Sequence, residues 1–348
     1  MKARLLCAGW LLVAPLAPAR AQVAFNLSYD SGIDVNALAG FQEAAARWSA
    51  LFSDPITINL HIGFDGTPGN GILGVTNSPL YNVGYSTFST ALTADRTSTN
   101  DDLAVGSLQG GSSYGVLLNH PSTADSTYLG SGDTLAITLA NARALGLYQA
   151  SGGLTDASIT FNSSFTFDFD PSNGITAGAY DFVGVATHEI GHALGFYSGA
   201  DFLDQNPSLA EADTVQTPLD LFRYSTLSIA DGVFDVSADA RTKYFSIDGG
   251  ATDLGTFSTG VTFGDGRQAS HWQENLGIGI MDPTAAPGEF LSISALDLTA
   301  FDVIGYDLAA VPEPANLGGL MAALAGLYAL RRRRKKVARA TRAGFTVD

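Results

Sequence analysis

Two histidines and a glutamate stand close together in the run Thr187-His188-Glu189-Ile190-Gly191-His192-Ala193-Leu194-Gly195-Phe196. His188 and His192 are four residues apart, so in a helix both side chains project from one face toward one ion. A hydrolytic zinc site commonly has three protein ligands and a water, whose pKa the metal lowers to about 7. Glu189 is placed to take the proton of that water. The run therefore predicts two metal ligands and a general base on one helix, a pattern typical of zinc-dependent hydrolysis of peptide bonds.

The residues around this run favour a helix with a sharp end. Val183, Val185 and Ala186 make its first half apolar, and Gly195 can leave the helix in a left-handed conformation. The simpler alternative is a buried amphipathic helix with two incidental histidines, since a five-residue pattern also recurs by chance. The flanking residues make that alternative the weaker one.

A third zinc ligand must come from elsewhere, and three candidates follow in the chain: Asp201, Glu211 and His271. Asp201 is close in sequence, but to reach the ion it would need an altered turn after the helix. Glu211 lies 19 residues after the second histidine, near the separation seen in thermolysin-like enzymes, yet its surroundings are polar. Metzincins with a short loop have their third ligand just after the helix, where this chain has Ser198, a poor zinc ligand. These residues alone leave all three candidates open.

The downstream segments Ser270-His271-Trp272 and Ile280-Met281-Asp282-Pro283 give the chain a family likeness. Together with the histidine–glutamate run and a long insertion, they resemble the leishmanolysin-type metzincins, in which the third histidine is displaced far downstream. The resemblance covers roughly residues 181–306 and is specific at the motifs but weak between them. It implies zinc ligands His188, His192 and His271, with Glu189 as the general base and Met281 as the methionine beneath the metal site.

The N-terminal residues are typical of a secretory signal peptide. Lys2 and Arg4 give a positive start, residues 5–16 are apolar, and Ala19-Arg20-Ala21 resembles a cleavage site. We therefore expect residues 1–21 to be removed, and with them Cys7, the single cysteine of the chain. Leishmanolysins are rich in disulfides, so we expect the closer relatives to be bacterial proteins that share the metzincin core.

The C-terminal residues combine Pro312-Glu313-Pro314, an apolar stretch over residues 315–330 and a basic run over residues 331–336. This arrangement resembles a PEP-CTERM sorting signal, which implies an exosortase as a partner, transient anchoring in the inner membrane through residues 315–330, and a cytoplasmic tail over residues 337–348. The apolar stretch is slightly shorter than the about 20 residues that span a bilayer, but a basic cytoplasmic flank is expected. A plain membrane anchor is the alternative.

The sorting signal and the signal peptide together imply export across the inner membrane of a Gram-negative-type bacterium, to the cell surface or the biofilm matrix. The chain has 18 Lys and Arg against 34 Asp and Glu, a net charge of −16. Most of the basic residues lie near the two termini, so the exported part is more acidic still. Such a surface disfavours nucleic acid and anionic membranes. We therefore expect a protein or peptide substrate and no nucleic-acid partner.

The order of predicted elements favours one α+β catalytic domain over residues 22–310, with an insertion at about 199–268. By the resemblance, it is a metzincin-like domain with a twisted mixed sheet, an active-site helix and a C-terminal helix. Periodicity predicts helices at 36–52, 85–94, 135–147 and 294–304, a strand at 56–62, a strand pair at 159–161 and 165–169, an amphipathic segment at 219–224, and short strands within 246–263. We expect long loops around strands in most of residues 63–135.

Several other polar residues invite a functional interpretation. Asp168, Asp170 and Asn173 are spaced like part of a calcium loop, but they lack the glycine and final glutamate of an EF-hand. Turn chemistry explains them, and a bound Ca²⁺ is kept as a hypothesis. We expect His61 and His120 to be surface or hydrogen-bonded histidines. Arg223 is one of only seven lysines and arginines in residues 22–330, so we expect it to pair with a nearby carboxylate rather than to bind substrate.

The functional expectation is a secreted or surface-anchored zinc metalloendopeptidase in which Glu189 activates water. The competing class is a non-catalytic extracellular matrix or biofilm protein that retains the zinc-protease fold. The intact glutamate between the two histidines favours the enzyme, because a protein that only binds zinc does not need a base there.

Overall fold

The computed structural model describes residues 22–66, 68–69, 71–119, 127–149, 153–206 and 213–310. These residues form a mixed α+β fold with several small sheets, and all but the last two belong to a unit that ends at Leu308. The predicted signal peptide and sorting signal lie outside the described residues, as do His120 and Glu211. Within the described part of the chain, no helix is both long enough and apolar enough to cross a membrane.

The strands are β1 (Ala24–Tyr29), β2 (Thr57–Phe64), β3 (Gly74–Asn77), β4 (Leu80–Gly84), β5 (Tyr114–Asn119), β6 (Thr127–Gly132), β7 (Thr134–Thr138), β8 (Ala157–Phe161), β9 (Phe167–Asp168), β10 (Tyr180–Asp181), β11 (Arg223–Tyr224), β12 (Phe234–Asp235), β13 (Lys243–Phe245) and β14 (Gly255–Phe257). The helices are α1 (Val35–Ser49), α2 (Tyr85–Asp95), α3 (Thr99–Ser107), α4 (Leu139–Ala144), α5 (Phe182–Leu194), α6 (Ala200–Gln205), α7 (Thr226–Ala230) and α8 (Ala295–Asp302).

The largest sheet has the strand order β1-β2-β8-β3. The first three strands are parallel, whereas β3 runs antiparallel to β8 at the edge. The inward residues Ile58, Leu60 and Ile62 of β2 are fully buried, as the alternation of the sequence predicts. The predicted mixed sheet is therefore present, and its single antiparallel strand lies beside α5, the helix that carries the histidine–glutamate run.

Helix α5 is held in the core by α1 and α8. A Cβ at Gly40 would lie 2.4 Å from Cδ1 of Phe182, so glycine at this position lets α1 approach α5 closely. The indole of Trp48 donates a hydrogen bond to the carbonyl of Thr187 over 2.8 Å, directly before the first histidine. The same indole meets Phe301 of α8 edge-on, with ring centroids 4.9 Å apart. These contacts hold α5 against α1 and α8.

Three of the helix predictions are confirmed and one is wrong in part. The predicted helices at 36–52, 85–94 and 294–304 correspond to α1, α2 and α8. The first half of the predicted helix at 135–147 is instead the strand β7, and α4 begins only after Thr138, whose hydroxyl accepts the amide of Asn141. The three central residues of β7 are apolar and its last four residues are buried, so the strand lacks the alternation that marks a half-buried strand.

The predicted strand pair is wrong in its pairing. Strand β8 pairs with β2 and β3, whereas β9 pairs with β10, which enters α5 directly. Within residues 63–135 the structure also has the helix α3, which was not predicted because its sequence has few apolar residues. Alternation identifies strands but does not determine their partners, which depend on distant parts of the chain.

The insertion folds onto the rest of the unit through small sheets. Strands β11, β13 and β14 are antiparallel neighbours, and β12 pairs in parallel with β5. Part of the expected strand structure within 246–263 is confirmed as β14, and segment 219–224 is a short 3₁₀ turn followed by β11. The insertion therefore packs around the chain segment that leads to His271.

Candidate metal centre and cleft

The two histidines of α5 are presented by a helix whose ends are both capped. The carboxylate of Asp181 accepts the amide of Gly184 at the N-terminus over 2.8 Å. At the C-terminus Gly195 has φ +120°, and the amide of Phe196 returns to the carbonyl of Gly191 over 3.1 Å. This left-handed exit turns the carbonyl of Phe196 toward Nδ1 of His192, 2.7 Å away. The predicted glycine stop is thus also part of the support of the second histidine.

Three histidine side chains converge on one point. The Nε2 atoms are 3.0 Å apart for His188 and His192, 3.1 Å for His192 and His271, and 3.3 Å for His188 and His271. Ligand nitrogens at 2.0–2.1 Å from a tetrahedral zinc ion lie roughly 3.3 Å from one another. The triangle therefore has the size expected for three ligands of a single small cation, with a fourth direction toward the cleft. Among the described residues, this is the group of histidine and acidic side chains that could hold a metal ion.

The other ring nitrogen of each histidine faces a backbone carbonyl. Nδ1 of His188 lies 2.8 Å from the carbonyl of Ile280, and Nδ1 of His271 lies 3.2 Å from that of Gln268. With the contact at His192, all three Nδ1 atoms are donors, so the Nε2 atoms carry lone pairs and cannot bond one another. Three facing lone pairs repel, and a cation between them would remove that repulsion.

Burial keeps the three imidazoles in the neutral form that a metal ligand requires. It lowers the pKa of His188 to about 4 and that of His192 to about 3, where His188 adds a smaller effect. The pKa of His271 is well below its ordinary value for the same reason, with further contributions from the other two histidines. Metal binding at this centre therefore does not have to displace protons near neutral pH.

Glu189 lies beside the centre and is held from the side of β3. The hydroxyl of Thr76 is 2.7 Å from Oε2 of Glu189 and 2.9 Å from its backbone carbonyl. A Cβ at Gly74 would lie 3.0 Å from Oε1, so that glycine lies against the other carboxylate oxygen. Burial raises the pKa of Glu189 to about 7, and the hydrogen bond from Thr76 opposes the rise. A carboxylate with a pKa in this range can both accept and return a proton near neutral pH.

Met281 lies under the helix turn that joins the two histidines. It is fully buried, and a Cβ at Gly191 would lie 2.5 Å from its sulfur, so only glycine permits this contact. The turn around Met281 is fixed by the buried carboxylate of Asp297, which accepts the amide of Ile280 over 2.8 Å and the indole N–H of Trp272 over 2.8 Å. Asp297 also forms the capping box of α8 with Ser294. One carboxylate thus joins the start of α8 to the segments of Trp272 and Ile280.

Asp201, a candidate third ligand from sequence, does not face the centre in this structure. Its carboxylate accepts the amides of Ala269 and Ser270 over 2.6 Å and 3.0 Å, together with the hydroxyl of Ser270. Ser198, in the position of the short-loop ligand, donates its hydroxyl to the buried Asp220. Asp201 therefore supports the segment before His271, and of the two candidates within the described residues it is His271 that lies among the ligand nitrogens.

Thr76, Gly74 and Asp297 were not predicted from the sequence as parts of the site. Ser294 and Asp297, three residues apart, form the capping pattern of the predicted helix start, but nothing local indicates the contact of Asp297 with Trp272. Thr76 and Gly74 carried no local signal, because their role depends on the pairing of β3 with β8.

A cleft of about 560 Å³ opens over the centre. It is lined by residues 71–78, by the three histidines and Glu189, by Tyr197, and by residues 282–285 after Met281. The described lining residues include no lysine or arginine, and Glu189 and Asp282 are the acidic ones among them. The edge strand β3 therefore forms one side of the cleft. No described lysine or arginine lines the cleft to bind an anionic substrate.

Two other predicted features have local explanations. Asp168 accepts the amides of Asp170 and Thr176, and Asp170 accepts the amide of Ser172, so this loop satisfies its own carboxylates in turns. The expectation that Arg223 pairs with a carboxylate is wrong. Its buried guanidinium instead donates to the carbonyls of Ser258 and Ala269 and lies over the ring of Phe257, away from the cleft lining. Burial makes such direct backbone contacts a requirement.

The chain was compared with protein-family models, with curated proteins and with solved structures, and no match was found in any of the three. The site is therefore defined by its own geometry. In a mixed α+β unit, the histidines at positions 188, 192 and 271 form a centre that could hold a metal ion at the base of a cleft.

Proposed function

We propose that this protein is a zinc-dependent endopeptidase of the metzincin type, with leishmanolysin-like spacing of its ligands. The observation that carries the proposal is the triangle of Nε2 atoms with sides of 3.0–3.3 Å beside the carboxylate of Glu189. Three neutral imidazoles suit Zn²⁺, and the open fourth direction suits a catalytic rather than a structural site. When bound, the metal supplies an electrophile and a water whose pKa is lowered to about 7.

The residues of the chain provide the remaining steps. Glu189 takes a proton from the attacking water and returns it to the leaving amine, which its raised pKa permits in both directions. His188, His192 and His271 hold their positions through their carbonyl contacts, so little reorganisation accompanies the reaction. Met281 keeps an apolar surface under the helix turn.

Strand β3 suits a peptide substrate. It is an edge strand, it lines the cleft next to Glu189, and an extended peptide can pair with an open edge through main-chain hydrogen bonds. The lining has exposed apolar side chains at Ile72, Val75 and Leu80, which would contact the side chains of such a peptide. The acidic lining argues against phosphate-bearing or nucleic-acid substrates.

The cellular setting is proposed from the terminal sequences. The signal peptide and the PEP-CTERM-like segment support export, processing by an exosortase and release to the cell surface or matrix. The alternative function, a non-catalytic matrix protein, would use the same histidine centre for zinc alone. Thr76 and Gly74 favour the enzyme, because they position a carboxylate that a purely structural zinc site does not use.

The proposal is tested by casein hydrolysis and zinc content of the purified protein. We expect the wild type to bind one zinc ion and to cleave casein, and Glu189→Gln to keep the zinc ion and lose about a thousandfold or more in rate. Glu43→Gln, at an exposed position of α1, is the matched control and should match the wild type. A zinc-loaded wild type that cleaves nothing would favour the matrix alternative, and an active Glu189→Gln would remove the glutamate from the mechanism.

A further inference from the structure

The carboxylate of Glu189 is held between two residues of β3. Thr76 lies 2.7 Å from Oε2, and a single hydroxyl hydrogen serves this contact or the one to the backbone carbonyl of Glu189. Gly74 approaches Oε1 so closely that a Cβ there would be 3.0 Å from this oxygen and 3.1 Å from Cγ. One oxygen is thus bound by a donor and the other is confined against backbone, so β3 determines where the free lone pairs of the carboxylate point.

The same two residues present their main-chain polar groups to the open edge of the sheet. The amide of Asn162 donates to the carbonyl of Leu73 over 2.9 Å, and Phe161, the partner of Gly74, directs its carbonyl to the other side, toward Gly66. Hydrogen-bonding direction alternates along an antiparallel strand. The amide and carbonyl groups of Leu73, and of every second residue after it, therefore face β8. The amide and carbonyl groups of Gly74 and Thr76 face outward.

We propose that Thr76 is a positioning residue that couples occupancy of the β3 edge by an extended peptide to the orientation of Glu189. This inference rests on the proposed endopeptidase function. A peptide paired with the outward groups of Gly74 and Thr76 adds main-chain hydrogen bonds on the free side of a strand only four residues long. The pairing restrains Thr76, and the hydroxyl of Thr76 restrains the carboxylate of Glu189.

The coupling has a kinetic consequence. Binding energy from parts of a substrate that do not react can be used to orient the reacting groups, and it then raises kcat rather than only lowering KM. Peptide residues that run along β3 should therefore increase kcat as long as Thr76 is present. Without the hydroxyl, the same residues should still pair with the strand and lower KM, but their contribution to kcat should disappear.

The test is a peptide-length series on the zinc-loaded full chain. A casein-derived peptide that the wild type cleaves is lengthened one residue at a time at either end, and kcat and KM are measured for the wild type, Thr76→Val, Thr76→Ser and the control Thr57→Val. Thr57 is an exposed threonine at the start of β2 and is outside the cleft lining. Zinc content, melting temperature and peptide affinity of the metal-free protein are measured for each variant.

For the longest peptide, we expect Thr76→Val to lose about tenfold to hundredfold in kcat, because a misplaced catalytic group has a cost of this size. The increase of kcat with peptide length should vanish, while zinc content and the affinity of the metal-free protein for the peptide stay at the wild-type values. Thr76→Ser should restore the length dependence, and Thr57→Val should behave as the wild type.

Two results would overturn the inference while leaving the proposed function intact. One is a Thr76→Val variant whose kcat still rises with peptide length as in the wild type. The other is a loss of kcat that Thr76→Ser does not restore although zinc content is unchanged, which would make the methyl group rather than the hydroxyl the important part. A wild type that cleaves no casein peptide when loaded with zinc would instead remove the proposed function, and this inference with it.

Discussion

Two regions of this protein bring like side chains close together, and they reduce the resulting repulsion in different ways. In the histidine centre, three Nε2 atoms lie within 3.3 Å of one another and each ring is fixed by a carbonyl. In the second region, which we call the carboxylate cluster, aspartates meet around the end of α2, the start of α3 and the end of α8. Its members are Asp54, Asp95, Asp101, Asp302 and Asp307.

The carboxylate cluster does not have the geometry of a metal site. Among the described residues, no three carboxylates converge closely enough to form a group that could hold a metal ion. Burial, followed by the charges of the neighbouring aspartates, raises the pKa of Asp54 and of Asp95 to about 7 and that of Asp302 to about 6. The cluster therefore reduces its repulsion by taking up protons, whereas the histidine centre is arranged to take up a cation.

A metal centre differs from a crowded cluster because one ligand atom of each side chain converges on a common point while the rest of each side chain is fixed. The aspartates of the cluster are tied to different local donors. Asp302 accepts hydrogen bonds from the hydroxyl of Ser98 and the side-chain amide of Asn100, and Asp54 accepts one from the backbone amide of Asp307. Their orientations follow these separate hydrogen bonds rather than a common centre.

The largest expected effect is the loss of the centre itself. Replacing His271 by alanine removes one of three ligands, and two histidines on one helix hold zinc poorly. We expect His271→Ala to bind no stoichiometric zinc after dialysis and to lose casein hydrolysis, as measured by atomic absorption and a cleavage assay. His61→Ala, at a half-exposed position on β2, should retain both. Full zinc content in His271→Ala would return the third ligand to Asp201 or Glu211.

Metal addition should distinguish the two regions in the wild type. A ligand that binds only the folded state stabilises it by about 2.7 kcal/mol at a free concentration of 100 times its Kd. We expect zinc to raise the melting temperature of the metal-free wild type and to leave that of His271→Ala unchanged, by differential scanning calorimetry. Calcium should not raise the melting temperature through the carboxylate cluster, because the carboxylates of the cluster do not converge. If calcium raised the melting temperature and Asp302→Asn abolished that increase, the carboxylate cluster would be a metal site and the contrast between the two regions would fail.

A smaller effect is expected from the support of His271. Asp201→Asn replaces a carboxylate that accepts two amides and a hydroxyl by a group with one acceptor oxygen. Loss of such outer contacts typically lowers metal affinity by about 10-fold to 100-fold. Asp204→Asn is the matched control, because Asp204 is buried on the same helix but bonds residues 262 and 263. Competition with a fluorescent zinc chelator gives the affinities, and equal losses in both variants would mean that general destabilisation is the cause.

The smallest effect concerns protons in the carboxylate cluster. The pKa of Asp54 is raised in the folded state, so its favourable contribution is present at about pH 4 and is lost as the pH rises through about 7. Asp54→Asn keeps an acceptor for the amide of Asp307 and does not titrate. We expect metal-free Asp54→Asn to gain about 1–2 kcal/mol over the wild type at pH 8 and little at pH 4. Urea unfolding at both pH values measures this difference, and an equal gain at both would rule out titration as its origin.

The parts of the site that the sequence could predict are those that depend on local spacing. His188, Glu189 and His192 follow from helical periodicity, and Gly195 follows from helix-capping rules. His271 depended on a family resemblance, since nothing local to it indicates a metal ligand. Its place beside the other two histidines depends on the path of the insertion, which Asp201 and Asp220 secure through buried hydrogen bonds.

The parts that the sequence could not predict depend on strand partners. Gly74 and Thr76 are unremarkable residues in a segment that we expected to consist mainly of loops, and they gain their role because β3 pairs with β8 beside α5. The mistaken hairpin at 159–169 has the same origin, since a correct strand was given a neighbouring partner in place of distant ones. Pairing across long separations is a property of the whole fold, not of any window of sequence.

A metal ion at the histidine centre would also change the entropy of the unfolded chain. A metal ion held by His192 and His271 would close a loop of 79 residues, the whole insertion included. By loop-closure arguments, a covalent bridge across such a loop stabilises a fold by on the order of 4 kcal/mol through the entropy of the unfolded chain. The sequence has one cysteine and so cannot form an internal disulfide. The ion would therefore cross-link the folded chain in addition to its proposed role in catalysis.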